Sequence, residues 1–332
     1  MDQARLDLLA KLEKNRSSRV ITYLTSDRPP FPAQIALDVL PLFYQILQSL
    51  GKIKKISIFL YSSGGNLDAP WPLMSLIREY CEEVEVIIPF RALSAATLLS
   101  LGANKIIMTP LGELSPIDPE GTFISEGKQQ HYSVEDVSSF IEFAKDKIGI
   151  AESQPLSEVL HLLSQEIKPT IIGSLNRTHS RIRRLARQML QLHLKDPKYE
   201  TTITEIVNNL TQLLGSHNHL IHRKEAREVI GFGNLIEDTT PETEAIVTDL
   251  FDVYSDQMEL NKPFDPLKLL TGTETEKDLS IKQAYCESLN ISHVFESLYH
   301  IQLNIQTHQV NVQPKGMPAW TTEKLDVKGV KK

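Results

Sequence analysis

An α/β fold around a parallel sheet is the class the sequence predicts, from three observations. RVITYLT (19–25) is rich in β-branched residues, as strands are. KISIFLY and VEVIIP are nearly continuous apolar runs, of the kind buried on both faces in a parallel sheet. Strands and helices alternate at a pace that argues for right-handed βαβ units.

In chain order, residues 1–18 (MDQARLDLLAKLEKNRSS) carry the periodicity of an amphipathic helix and lack the apolar core of a signal peptide. After RVITYLT, the prolines of SDRPPFP place a loop. IALDVLPLFYQILQSLG has apolar residues at helical spacing, with Gly51 as its C-cap. KISIFLY follows, then a helix over Asn66 to Tyr80, VEVIIP, a short helix over Ser94 to Leu101, and KIIMT. From Ser133 the pattern turns helical: SVEDVSSFIEFAKDKIGI, PLSEVLHLLSQEI, SLNRTHSRIRRLARQMLQLHL and TTITEIVNNLTQLLG. LIHRKEAREVIGFGN reads as a short strand running into a helix, and TPETEAIVTDLFDVYSDQM as a further helix. A linker is expected between Leu260 and Glu276. The main domain is then residues 19–260, followed by a strand-rich extension over 277–322 and a disordered tail over 323–332.

The 332 residues are 41% hydrophobic and 23% charged, enough to bury a substantial core. A formal net charge of -7 gives no pull toward nucleic acid or an anionic membrane. No apolar run approaches the roughly 20 residues that span a bilayer. Two cysteines, Cys81 and Cys286, without metal spacing, suggest a reducing compartment, so the cytoplasm is the expected location. Cys81 lies among acids (EYCEE) that would raise its thiol pKa. Arg177, Arg181, Arg184 and Arg187 line one helix face. In an acidic chain that reads as a salt-bridged or solvated face before a phosphate grip.

The stretch from Tyr61 to Pro119 carries the chemistry. Gly64-Gly65 is at least a tight turn after a strand, and it fits no phosphate-binding glycine pattern. Glycines also let backbone N–H groups approach a carbonyl oxygen, as an oxyanion hole requires. Ser94 sits where an N-cap serine commonly sits. The same position, at the positive end of a helix dipole, suits a nucleophile, and Ala95, Ala96 and Thr97 keep the helix slim. The Ala95 amide would be the second oxyanion donor.

YSSGGNLDAPWPLMSLIREY, ALSAATLLSLGANKIIM and GELSPIDP together resemble the Clp-fold serine peptidases. The nearest group is the serine dehydrogenase proteinases, related to signal peptide peptidase A and the Clp protease proteolytic subunit. The resemblance extends through SLNRTHSRIRRLARQML and SHNHLIHRKEAREVIG, covering roughly Val20 to Gly233. It implies a Clp/crotonase-type ββα superhelix, here with additional helices and the strand-containing C-terminal extension. It also implies Ser94 as nucleophile and Gly64-Gly65 as the oxyanion loop. The activity implied is hydrolysis of a peptide or protein substrate by a homo-oligomer, without metal or organic cofactor.

The general base is where the pattern departs. The family's histidine segment corresponds to Ile117 to Pro119 here, which has no histidine. Lys128, His131, Lys145 and Lys147 stand near the position of the lysine used by the signal peptide peptidases. Asn218 stands where the triad aspartate would be. The base candidates are therefore His219, His217 and Lys145. A zinc reading of His217, His219 and His222 is weakened because strand alternation gives His217 and His219 no carboxylate companion. Two other readings stay open: an impaired scaffold that binds peptides or partners, and an acyl-CoA enzyme that uses the same oxyanion loops without a serine nucleophile.

Overall fold

Each apolar run becomes a strand because it has helices to bury against on both sides. In the computed structural model, the described residues are 2–117, 120–125, 128–133, 139–140, 143, 145, 148–149, 153–213, 219–271, 274–304, 306–307 and 309–324. The nine-stranded main sheet has a parallel half made of β1 (Arg19–Thr25), β2 (Ile53–Tyr61), β3 (Cys81–Ile88), β5 (Lys105–Met108) and β10 (Ile236–Asp238). Beyond β1 the sheet turns antiparallel through β11 (Glu276–Glu287), β12 (Ile291–Asn304) and β13 (Gln309–Pro314). Strand β14 (Ala319–Lys324) also pairs with β12 and runs two residues into the segment expected as a tail.

Period-2 alternation divides the core between two faces. Ile21, Tyr23, Ile58, Leu60, Val84 and Val86 point to one side, where α2 (Leu40–Leu50), α3 (Pro70–Arg78), α4 (Ala95–Ser100) and α6 (Pro169–Gln191) cover them. Val20, Leu24, Phe59, Tyr61 and Ile87 point to the other, against α1 (Gln3–Arg16) and α9 (Pro241–Met258). Between α6 and α9 lie α7 (Glu200–Asn208) and α8 (Arg223–Glu228). Helix α5 (Ser153–Glu166) precedes α6, and α10 (Pro266–Leu269) falls inside the expected linker.

A second sheet of three short strands, β4 (Arg91–Ala92), β6 (Glu113–Leu114) and β9 (Ile221–His222), repeats the order of the first. The chain leaves β2 for a bridge between Ser62 and Ala92, leaves β3 for β4, and leaves β5 for β6. Each unit thus gives one strand to each sheet before its helix. That is the ββα superhelix expected above, and it was not visible as such in strands of two residues.

Some boundaries differ from expectation. Helix α3 begins at Pro70, not Asn66, because the Asn66 carboxamide accepts the Asp68 N–H at 2.8 Å and closes a turn that Pro70 then ends. Residues Glu120–Ser125 and Lys128–Ser133 form a hairpin, β7 and β8, before the segment expected to turn helical, most of which lies outside the described residues. No described helix is long and apolar enough to cross a membrane.

One buried and one half-buried polar group tie this frame together. Glu287, fully buried in β11, accepts from Arg5 at 2.9 Å, from the Tyr254 hydroxyl at 2.6 Å and from Ser292. Burial raises its pKa against the pull of Arg5. His193, past the end of α6, holds the Leu101 carbonyl at 2.9 Å, and burial pushes its pKa down to about 4. The unfolded chain binds a proton there near pH 6.5, which the folded chain refuses. Stability should therefore fall as pH drops from about 6.5 toward 4, by at most about 3 kcal/mol from this residue. Urea midpoints at pH 7.5 and pH 5 should differ less in His193→Gln than in the wild type; equal differences would remove His193 as a cause.

Candidate active site

Glycine and serine meet here because two strand ends converge. Beyond β2, Ser62 N–H donates to the Arg91 carbonyl at 2.9 Å, and Leu93 N–H returns to the Ser62 carbonyl at 3.0 Å. This stitching sets the turn after β2 beside the turn after β4. Gly64 and Gly65 take φ of 112° and 146°, which only glycine adopts without strain. A Cβ on Gly64 would lie 2.9 Å from Ser94 Cβ and 3.5 Å from the Ala95 nitrogen, so loop and serine are in direct contact. A Cβ on Gly65 would lie 2.4 Å from the Ile35 carbonyl oxygen. Ile35 lines the loop's other side, giving its N–H to Gly64 O and taking the Asn66 N–H, both at 2.8 Å. The buried Ser62 hydroxyl accepts the Gly64 N–H at 3.0 Å and the Thr25 hydroxyl at 2.7 Å.

Ser94 has φ 51° and ψ −111°, outside the regions a non-glycine residue favours. It precedes α4 but does not cap it, and among the described residues its hydroxyl has no hydrogen-bond partner. Helix α4 is six residues long, so individual amides matter here more than a macrodipole. The amides of Gly65 and Ala95 have no partner among the described residues, while those around them are taken.

The Ser94 N–H donates to the Ser115 hydroxyl at 2.7 Å. That hydroxyl donates to the Pro116 carbonyl at 2.9 Å, and the Ser115 N–H goes to the Thr97 hydroxyl at 3.0 Å. Thr97 in turn donates to the Ala92 carbonyl at 2.7 Å. The sequence reading missed Ser62, Thr97 and Ser115. The serine of GELSPIDP was on view, but nothing in sequence says which way a hydroxyl points.

The base candidates fare differently. His219 Nε2 lies 2.7 Å from Glu225 Oε1, so the neutral ring donates there and keeps Nδ1 as an acceptor. Lys145 is exposed. His217, Asn218 and Lys147 lie outside the described residues. His222, on β9 opposite Glu113, is exposed. Among the described residues no group of three metal-ligating side chains occurs. Burial, more than the neighbouring acids, pushes Cys81 up to about 11. On the basic helix face, Arg181 pairs with Asp68 at 2.9 Å and Arg187 with Glu200.

No family model matches the chain. Two uncharacterized proteins of Methanocaldococcus jannaschii, MJ0137 and MJ1495, are similar to parts of it. The first is 29% identical over 123 residues, 35% of this chain and 43% of that protein. The second is 24% identical over 122 residues, 35% of this chain and 42% of that protein. The chain thus spans about two-fifths of the length of the curated relatives it matches. Among solved structures, one variant of a 1510-N membrane-bound stomatin-specific protease is 21% identical, covering 39% of this chain and 62% of that one, with a TM-score of 0.27. A second variant of that protease, in complex with a substrate peptide, is 15% identical, covering 71% and 98%, again with a TM-score of 0.27. An enoyl-CoA hydratase/isomerase, putative in its description, from Novosphingobium aromaticivorans is 16% identical, covering 58% and 87%, with a TM-score of 0.26. Likenesses of this size say nothing about activity. The fold rests on the strand order of this chain itself.

Proposed function

We propose that this chain is a serine-type peptidase that cleaves peptide bonds in a peptide or protein substrate through an acyl-enzyme on Ser94. One observation carries the reading: a serine hydroxyl on a strained turn, beside two backbone amides, all three without a hydrogen-bond partner among the described residues. Ser94 Oγ would attack the scissile carbonyl carbon while its proton passes to a base. The amides of Gly65 and Ala95 would take the oxyanion. Collapse would expel the amine, which leaves with that proton. Water would then release the acid by the same steps.

His219 is the base we favour. Ser94 follows β4 by two residues and His219 precedes β9 by two, and β4 and β9 pair with the two sides of β6. Glu225 would orient the ring as the missing aspartate would have done. Reaction with a fluorophosphonate tests the proposal: one adduct, on Ser94, is expected, and an adduct on another serine overturns the assignment.

A second reading, a binding scaffold without turnover, is favoured because, among the described residues, no basic side chain is bonded to the Ser94 hydroxyl. Folded protein that never labels would select it. Exposed apolar residues along 143–162 (Phe143, Ile148, Leu162) support a homo-oligomer, whose mass by light scattering would be a multiple of 37.5 kDa; a single 37.5 kDa species at working concentration would refute it.

A further inference from the structure

We propose that Ser115 is the positioning residue of this site, fixing both the nucleophile and one oxyanion donor without touching substrate. The inference rests on reading Ser94 as the nucleophile. A residue at φ 51° and ψ −111° relaxes unless its surroundings over-determine it. Ser115 supplies that constraint. Its hydroxyl proton is committed to the Pro116 carbonyl at 2.9 Å, which turns a lone pair toward the Ser94 N–H at 2.7 Å. At 3% exposure, no bulk water competes for that lone pair.

Ser115 is itself held. Its N–H meets the Thr97 hydroxyl at 3.0 Å, and Thr97, fully buried, spends its proton on the Ala92 carbonyl at 2.7 Å. Donors and acceptors run one way round a closed path: the end of β4, the first turn of α4, the end of β6, and back to Ser94. Pro116 keeps the preceding Ser115 extended, so the hydroxyl cannot swing into a helical turn.

The consequence reaches Ala95. The ψ of Ser94 sets the plane of the next peptide, and the N–H of that peptide is one of the two amides without a partner among the described residues. Letting Ser94 relax would therefore move the nucleophile and turn the Ala95 N–H away from the developing charge. Reagent binding would be spared, since Ser115 lies behind the turn. The signature is a loss in limiting rate at unchanged half-saturation.

The experiment measures fluorophosphonate labelling against reagent concentration, with amide hydrogen exchange read by NMR. Ser115→Ala should lower the limiting rate about 100-fold with half-saturation unchanged, and Ser115→Thr, which keeps the hydroxyl, should recover most of it. Thr97→Val, which keeps the shape, should lower the same rate and carries the test if Ser115→Ala fails to fold. In Ser115→Ala the Ser94 amide should exchange faster while the β2 and β3 amides keep their protection. An unchanged limiting rate in both variants, or an unchanged Ser94 exchange rate in Ser115→Ala, overturns the proposal. If wild-type protein never labels at Ser94, the nucleophile reading falls, and Ser94 amide exchange still decides whether Ser115 holds the turn.

Discussion

Ser94→Ala should abolish fluorophosphonate labelling and lower peptide hydrolysis on the order of 10⁴-fold or more, with the urea midpoint unchanged. The two readouts separate because the hydroxyl makes no bond with any described residue. Removing it deletes a reacting atom and leaves no buried group unsatisfied. Were Ser94 a structural cap, the order would reverse, since losing a cap costs about 1 kcal/mol of stability and leaves chemistry intact. A midpoint shift of that size with labelling retained would end the nucleophile reading. His219→Ala should slow labelling of Ser94 without moving the adduct. An unchanged rate would send the search for the base to the segments between β8 and α5.

Gly65→Ala should damage the fold and the chemistry together. Its Cβ would meet the Ile35 carbonyl oxygen at 2.4 Å and the Ile35 nitrogen at 2.6 Å, both backbone atoms that cannot swing aside. The φ of 146° adds strain on top of the clash. Together these should cost about 3 kcal/mol or more of stability. Whatever folds would have the Gly65 amide displaced, and one lost oxyanion donor lowers turnover about 100- to 1,000-fold. Thermal unfolding and labelling of the same preparation check both. A variant as stable and as reactive as the wild type would show that the turn has another conformation to offer.

Much of the frame was legible in sequence because burial writes itself in residue type. RVITYLT is β1 to the residue, KISIFLY falls inside β2, and VEVIIP falls inside β3 up to Ile88, with only Pro89 beyond its end, since both faces of each are covered. The second sheet was not legible. Strands of two residues, such as Arg91–Ala92 and Glu113–Leu114, are too short to carry a period. They exist because β3 and β5 deliver them side by side. The site was half legible for a related reason. A glycine pair and a serine before a small-residue helix mark a close approach of backbones, and Gly64 does touch Ser94. Whether that serine caps the helix or stands free depends on φ, and the φ of Ser94 depends on Ser115, 21 residues away. His219 was visible as a histidine but not as the partner of Glu225, because the two-residue strand and helix start between them are too short to carry a pattern.

The place of β1 in the main sheet has a consequence for how the chain is made. It pairs with β2 on one edge and, between Thr22 and Thr25, with Glu287 to Ala284 on the other. Synthesis delivers the first edge within some 40 residues and the second only after more than 250. Until then the nascent chain presents β1 with one edge unpaired, and Arg5 awaits a carboxylate that does not yet exist. Closure is long-range and slow by nature. A ribosome that stalls before β11 leaves an open edge seeking any strand it can find, so a strand made much later is what makes β1 safe from aggregation.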